Sequence, residues 1–333
     1  ILRLSATVFD PLGLISPFTV RSRKILQRLW QEELKWDDPI PERHDARWRQ
    51  WLDELFTESH LINIPRCLNF GKGKSVSLHV FVDASTEVYA TAVFVRVAKV
   101  VDSRGVKELE AEEVDVESHL VTSKARVAPI KAETVSRLEL DSAVIGLRLG
   151  HAVALAYQID PKEIYYWTDS TNVLYWINTP ANQLKTFVSN RVGEIQSDSD
   201  AKQWRHVPTD QNPADVATRD ISLADLARNH LWWTGPDWLK QGKSFWPAEF
   251  TSSKSNDEVK SEFKKLFSDH AFVHFANSSE ISKLEIHNLL NPLNFSVGSL
   301  YDGFNKLLHR VFATLLAYSK WRKHEFTRSS LLR

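Results

Sequence analysis

The chain has 333 residues, enough for roughly two domains, and 43% of them are hydrophobic, as globular domains with cores require. Its 42 basic and 42 acidic residues cancel, so the chain lacks the overall basic footprint that indicates nucleic-acid binding, although charge can be local. The single cysteine, Cys67, excludes an internal disulfide and a multi-cysteine zinc site, and it fits a reducing compartment.

Charge is unevenly distributed along the chain. Residues 102–117 carry seven acids against two bases, and residues 306–333 carry seven bases against one acid. The apolar runs are too short to cross a bilayer and no signal peptide is visible, so we expect no membrane partner. Because methionine is absent, we expect the chain to be a piece of a longer polyprotein.

The first 65 residues predict a helical region. An apolar, turn-rich stretch, "FDPLGLISPF", comes first. The apolar residues of "VRSRKILQRLWQEEL" (20–34) and "RHDARWRQWLDELF" (43–56) recur at helical spacing, and "WDDPIP" separates these two predicted helices. The glycines of "GKGKS" indicate a linker, which we place at residues 66–75.

Three strands are predicted next, in "VSLHVFVDA" (76–84), "VYATAVFVRV" (88–97) and "HLVTSKARV" (119–127). The first strand alternates, with Leu78, Val80 and Val82 on one side. We expect an antiparallel meander in which the acidic residues 102–117 form a long solvated excursion.

Strands and helices alternate after the meander. A long helix is predicted from about Glu133 to Tyr157, where Asp160-Pro161 ends the pattern. The later elements are the strand "EIYYWTD", the helices "STNVLYWI" and "LKTFVSNRVGEIQ", the strand "QWRHVP" and the helix "NPADVATRD". The order β-β-β-α-β-α-α-β-α predicts an α/β fold with a mixed sheet covered by helices.

Four acids occupy similar places in these elements. Asp83 ends the first strand and Asp169 ends the central one, while Glu139 and Asp215 lie in the first turns of helices. Strand ends and helix starts meet at one edge of an α/β sheet, so these carboxylates can converge. Close carboxylates repel one another unless a cation joins them, and Mg²⁺ prefers such oxygen ligands. Two such ions about 4 Å apart can activate a water and stabilise the leaving oxygen in phosphodiester hydrolysis.

These motifs resemble the four acidic motifs of a ribonuclease H domain of the reverse-transcribing-element type. The strings that carry this resemblance are "VFVDAS", "RLEL", "WTDSTNVLYWI" and "HVPTDQNPADVATR". Further strings narrow it to the Pol polyprotein of BEL/Pao long-terminal-repeat retrotransposons: "FDPLGLISPF", "KWDDPIP", "SKARVAPIKAETVSRLEL", "FVSNRVGEIQ" and "LWWTGPDWL". The resemblance covers roughly residues 1–247.

The resemblance implies a domain order and a partner set. Residues 1–65 would be the thumb/connection tail of a reverse transcriptase, about 76–222 the ribonuclease H domain, and 223–333 a Trp-rich and helical linker towards an integrase. The substrate would be an RNA–DNA hybrid, and the other partners would be the polymerase palm and the integrase of the same polyprotein. The location would be a cytoplasmic retrotransposon particle, with passage to the nucleus.

The resemblance also implies the roles of individual residues. Asp83, Glu139 and Asp169 would hold one Mg²⁺, and Asp83 with Asp215 a second, with Mn²⁺ as a substitute. His206, nine residues before Asp215, would assist product release.

Each candidate residue also has a purely structural interpretation. Asp169 could cap the helix that follows it, although Ser170 or Thr171 can do so instead. Asp215 could likewise cap its own helix, for which Asn212 is the better candidate. Glu139 has rivals in Asp141 and Glu133. The remaining structural alternatives are a strand-end turn position for Asp83, a solvated loop position for His206, and a satellite core rather than a base-stacking platform for residues 232–246. A functional alternative is that Lys185 and Arg191 contact the hybrid.

Two other functions remain open. This region of Pao elements has also been labelled an aspartic peptidase, but such enzymes use Asp-Thr-Gly or Asp-Ser-Gly turns, and neither tripeptide occurs here. The chain could also be an inactive, degenerate copy that only folds or binds nucleic acid.

Overall fold

A five-stranded sheet lies at the centre of the computed structural model, which describes residues 1–64, 74–101, 112–250 and 257–264. Its strands are β1 (Lys74–Ala84), β2 (Val88–Val101), β3 (Glu112–Val127), β4 (Ile164–Thr168) and β5 (Trp204–His206). The spatial order is β3-β2-β1-β4-β5. The first three strands pair antiparallel, while β4 pairs parallel with both β1 and β5. The predicted mixed sheet and antiparallel meander are confirmed.

Helices precede, connect and follow these strands. They are α1 (Leu2–Thr7), α2 (Ser16–Gln31), α3 (Glu42–Glu58), α4 (Val135–Tyr157), α5 (Thr171–Ile177), α6 (Thr186–Asp198), α7 (Pro213–Thr218), α8 (Leu223–Arg228), α9 (His230–Thr234) and α10 (Asp257–Ser261). From β1 to α7 the order of strands and α-helices is the predicted one. The α/β fold class is therefore confirmed.

The long helix α4 lies close against one face of the sheet. A Cβ added to Gly146 would lie 2.5 Å from a methyl carbon of Val82, and one added to Gly150 would lie 2.9 Å from Val80. Only glycine allows this approach. This close packing explains why α4, despite its regular apolar pattern, has the helix-destabilising residues Gly146 and Gly150 in its interior.

The opposite face of the sheet carries one large hydrophobic core. Phe81, Phe94 and Trp167 of the sheet pack there with residues from the two ends of the described chain. These residues are Phe18, Trp48 and Trp51 from α2 and α3, and Trp232, Trp238 and Trp246 from the Trp-rich segment. The tryptophans of residues 232–246 therefore pack in a core, as their structural interpretation predicted, but this core is the large one on the sheet and not a satellite. The described residues belong to one compact unit, and the assignment of residues 1–65 to a polymerase tail stays a prediction.

The turn-rich stretch before α2 binds the outer strand β3. The carboxylate of Asp10 accepts hydrogen bonds from the backbone N–H groups of Leu14 and Ile15. The loop carbonyl of Leu12 accepts from the Ser123 N–H at 2.8 Å. Gly13 has φ +68°, and a Cβ there would lie 2.1 Å from the Ser123 carbonyl oxygen. This loop covers part of an otherwise open sheet edge.

The prediction of a solvated excursion over residues 102–117 is wrong for its second half. Residues 112–117 belong to β3, and two of their acids form ion pairs with bases of β2. Glu113 forms a 2.7 Å ion pair with the fully buried Arg96, and Asp115 lies 3.6 Å from Lys99. Cross-strand charge pairs of this kind favour strand pairing over solvation.

The linker prediction needs a smaller correction. Lys74 and Ser75 belong to β1, where they pair with Lys99 and Ala98. The rest of the linker, the first part of the acidic segment and the basic C-terminal region lie outside the described residues. In the described part of the chain, no helix is both long and apolar enough to cross a membrane.

Candidate active site at the carboxyl edge of the sheet

Two aspartates lie side by side where β1 and β4 end. In the parallel ladder, Val82 of β1 is opposite Thr168 of β4. The residues that follow, Asp83 and Asp169, are therefore neighbours at the same edge, since adjacent strands lie about 4.8 Å apart. Asp83 is buried, with 7% exposure, and Asp169 is half-buried.

Glu139 faces the same edge from the start of α4. The Thr134 side chain caps this helix by accepting from the Arg137 N–H. The Ser170 hydroxyl donates a 2.5 Å hydrogen bond to Glu139 Oε2 and also caps α5 by accepting from Val173 N–H. Ser170, rather than Asp169, is thus the helix cap.

Burial raises the pKa of Glu139 to about 7, and the negative charges of Asp169, Asp83 and Glu258 add to the rise. The Ser170 hydrogen bond opposes it. Burial likewise raises the pKa of Asp83 to about 6, again with repulsion from Asp169 and from Asp215. These carboxylates therefore repel one another across a shared, poorly hydrated edge.

Asp215 is brought to this edge by α7. Asn212 caps that helix through the Ala214 N–H, as predicted. The Asn212 amide also donates to the Val82 carbonyl at 3.0 Å and to Asp169 Oδ1 at 3.3 Å. One side chain thus ties α7 to the ends of both β1 and β4.

Two further contacts hold this corner. The Thr218 hydroxyl donates to Asp83 Oδ2 at 2.6 Å. Arg219 binds Asp215 through two nitrogens, at 2.9 and 2.7 Å, which partly offsets the burial that raises the pKa of Asp215.

The sequence did not predict the contacts of Ser170 with Glu139 and of Thr218 with Asp83. Capping patterns identified Ser170 and Asn212 only as helix starts, and nothing in the sequence singled out Thr218.

The rival acids near Glu139 are engaged elsewhere. Asp141 binds the guanidinium of Arg191, and Glu133 lies 3.2 Å from Arg137. In contrast, no Lys or Arg among the described residues forms an ion pair with Asp83, Glu139 or Asp169. A buried acid without a cation is costly, so its retention indicates a function.

His206 ends β5, where its backbone is opposite Thr168. It is half-buried and lies at the same edge as Asp83 and Asp169. A role in product release stays a prediction, as do hybrid contacts by Lys185 and by Arg191, whose guanidinium is bound to Asp141.

The four carboxylates share an edge, but their oxygens do not yet surround one point. Across residues 1–64, 74–101, 112–250 and 257–264, no three His, Cys, Asp or Glu side chains are arranged as ligands of a single ion. The donor chemistry nevertheless fits a hard divalent cation, because the edge offers four carboxylates, and Asp83 and Glu139 are buried groups with raised pKa values.

Residues 1–170 match the family model described as "Pao retrotransposon-like RNaseH-like domain", which is about half of the chain. A search of curated proteins finds no match. The match and the mixed sheet together confirm the ribonuclease H-like fold and the resemblance to Pao-type Pol sequences. The family description favours a ribonuclease H-like domain over the peptidase alternative.

Proposed function

Because the chain belongs to the family of Pao retrotransposon-like RNaseH-like domains, we propose that it hydrolyses the RNA strand of RNA–DNA hybrids during reverse transcription. It acts as an endonuclease and leaves 5′-phosphate and 3′-hydroxyl ends. The observation that carries this proposal is the pair Asp83 and Asp169 at the ends of adjacent parallel strands, with Glu139 beside them. None of the three forms an ion pair with a Lys or Arg in the described part of the chain.

The carboxylates are the residues that would hold Mg²⁺ or Mn²⁺. Asp83, Glu139 and Asp169 would bind one ion, and Asp83 with Asp215 a second. When bound, such ions supply an activated water and stabilise the leaving oxygen.

Neutral donors of the chain orient these carboxylates. Ser170 fixes Glu139, Thr218 fixes Asp83, and the Asn212 amide fixes Asp169. Hydrogen bonds from neutral groups hold the side chains without cancelling the negative charge that attracts the metal. Arg219 is the exception, since it partly neutralises Asp215.

Substrate choice follows from helix shape. A hybrid is recognised by groove width and 2′-hydroxyl contacts rather than by base sequence, and affinity falls steeply with salt. We further propose that His206 assists product release and that the polymerase palm and integrase of the same polyprotein are the protein partners. The corresponding location is a cytoplasmic retrotransposon particle with passage to the nucleus.

The decisive experiment replaces Asp169. The full chain and its Asp169→Asn variant are incubated with a fluorescent RNA–DNA hybrid in Mg²⁺, and the cleavage rate is measured. We expect Asp169→Asn to lower the rate by at least about 10³-fold, because it removes a charged metal ligand from the centre of the site. Circular dichroism should be unchanged, since Asn keeps the shape of Asp.

The matched control is Asp198→Asn, the same chemical change at an exposed position at the end of α6. It should cleave at the parental rate. An Asp169→Asn variant that is as fast as the parent would contradict the metal assignment. A parent chain that cuts no hybrid in Mg²⁺ or Mn²⁺ would leave the inactive-copy alternative, and a pepstatin-sensitive protease activity would favour the peptidase.

A further inference from the structure

A short acidic segment far along the chain is docked beside the candidate active site. We define the strap as residues 257–264, which comprise α10 and the three residues after it. Its backbone pairs with the loop before α6. The Lys185 N–H donates to the Glu262 carbonyl at 2.8 Å, and the Lys264 N–H donates to the Gln183 carbonyl at 2.9 Å.

Apolar contacts fix the position of the strap. Val259 and Phe263 are 2% and 6% exposed, and the Phe263 ring meets Tyr175 of α5 edge-on at 6.5 Å. Burial of these two apolar side chains stabilises the docked position. The strap is therefore placed by packing, and its charged groups are carried to defined positions.

The first of these charged groups is Glu262, which binds Arg137 in α4. Glu262 Oε1 accepts from Arg137 Nε at 3.0 Å and lies 2.8 Å from Nη2. Glu262 is only 7% exposed, and its other oxygen, Oε2, is buried without a hydrogen-bond partner in the described part of the chain. Burying a carboxylate oxygen without a hydrogen-bond partner costs folding free energy, so this contact is maintained at the expense of stability.

The second group is Glu258, which lies next to the catalytic carboxylates. Glu258 Oε2 accepts from the Asn172 amide at 3.1 Å, and the same amide donates to the Ser136 hydroxyl at 2.8 Å. Ser136 lies one helical turn before Glu139 in α4, and Glu258 is near enough to Glu139 to repel it. The strap thus adds a carboxylate to an edge that already has a surplus of negative charge.

Guanidinium and amide N–H groups beside a phosphodiester-cleaving site are the donors that phosphate oxygens use. Here carboxylate oxygens of the strap occupy both donors. We propose that the strap is an autoinhibitory contact, in which Glu262 and Glu258 take the places of backbone phosphates on Arg137 and Asn172 and must leave when a hybrid binds. This inference rests on the proposed function, because it takes the hybrid as the competing ligand.

The first test is Glu262→Gln in the full chain. Removing the charge weakens the hold on Arg137, and we expect hybrid affinity to rise about three- to tenfold in Ca²⁺ buffer, where binding is measured by fluorescence anisotropy. The salt dependence should also steepen by about one unit in the slope of log K against log salt, since one more cation contacts phosphate.

Two variants separate this mechanism from a general loss of negative charge. Asp257→Asn makes the same charge change on the same strap, at a fully exposed side chain that does not contact Arg137, and should change affinity less than twofold. In the Arg137→Ala background, Glu262→Gln should give no gain. Equal effects of Asp257→Asn and Glu262→Gln, or a gain that persists without Arg137, would overturn the proposal.

Amide hydrogen exchange measures whether the strap is displaced when a hybrid binds. When a hybrid is added, the Lys185 and Lys264 amides that pair across the strap should exchange faster, because the strap has been displaced. Unchanged or slower exchange with bound hybrid would show that the strap stays in place and would overturn the proposal. If the parent binds and cleaves the hybrid and the Glu262→Gln variant has the same affinity, the autoinhibitory role of the strap is refuted while the proposed function stands. A parent that neither binds nor cleaves would refute the proposed function and the strap with it.

Discussion

Two polar side chains on one strand, His79 and Asp83 of β1, are both buried, yet their surroundings differ in kind. His79 is 0% exposed and stacks on Tyr165 and Trp167 at ring distances of 5.2 and 6.1 Å. Both of its ring nitrogens have partners, at 3.1 Å each: the Trp167 indole N–H donates to Nδ1, and the Ser77 hydroxyl lies against Nε2.

Asp83, four residues further along, accepts from the Thr218 hydroxyl but has negative neighbours in Asp169 and Asp215. The environment of His79 is complete, and burial together with the nearby Arg96, Lys243 and Arg205 lowers its pKa well below 6.5, so that it is neutral. The carboxylate of Asp83, in contrast, forms no ion pair with a Lys or Arg of the described residues, and its neighbours Asp169 and Asp215 are negative. The difference separates a polar residue that stabilises the core from one that is held for a ligand.

The largest expected effect comes from Asp83→Asn. It should lower hybrid cleavage by at least about 10³-fold, since Asp83 is assigned to both ions. It should also stabilise the metal-free protein by about 3 kcal/mol at pH 8, because the charge whose pKa is raised to about 6 is gone. Chemical denaturation in EDTA measures this gain.

The pH dependence of that gain has a definite sign. The folded pKa of Asp83 lies above its unfolded value of 3.8, so the folded parent holds the proton more tightly than the unfolded one. The penalty is therefore absent below about pH 4, grows as the pH rises, and is complete above about pH 6. A stability gain that is constant from pH 4 to pH 8 would show that the buried charge of Asp83 is not its cause.

His79→Gln should lower stability and leave cleavage intact, which is the opposite of what we expect for Asp83→Asn. We expect a loss of about 2 kcal/mol at pH 8, from the lost ring stacking and one lost hydrogen bond, with normal cleavage by the folded fraction. Because the folded pKa is lowered, the stability that His79 contributes is present above pH 6.5 and decreases as the pH falls below it. Denaturation curves at pH 5 and pH 8 measure the change, and a selective loss of activity would contradict a purely structural role.

Much of this comparison was visible in the sequence. Hydrophobic periodicity predicted the strands and helices from β1 to α7 and placed Asp83 and Asp169 at strand ends, because both signals are local. The same kind of local signal predicted Asn212 as a helix cap and limited the other cap to Ser170 or Thr171, of which the structure has Ser170.

Contacts between distant segments were not predictable in this way. The docking of Gly13 on Ser123, the bond from Thr218 to Asp83, and the strap on α5 join residues 86 or more positions apart, and no local pattern encodes them. The acidic end of the meander was misjudged because its partners, Arg96 and Lys99, lie on another strand. The acidic composition of residues 112–117 predicted a solvent-exposed loop, whereas their pairing with β2 makes them part of a strand.

Thr218→Val is expected to have the smallest effect and tests how the fold tunes Asp83. The substitution keeps the shape and removes the hydroxyl that lowers the pKa of Asp83. The acidic limb of the pH–rate profile should therefore move to higher pH, by less than about one unit, so that cleavage falls severalfold near pH 6 and hardly changes at pH 8.5. Thr218→Ser keeps the hydroxyl and should follow the parent at every pH. A Val profile that runs parallel to the parent would mean that Thr218 supports α7 without influencing the carboxylate, and the contrast between His79 and Asp83 would then rest on burial and repulsion alone.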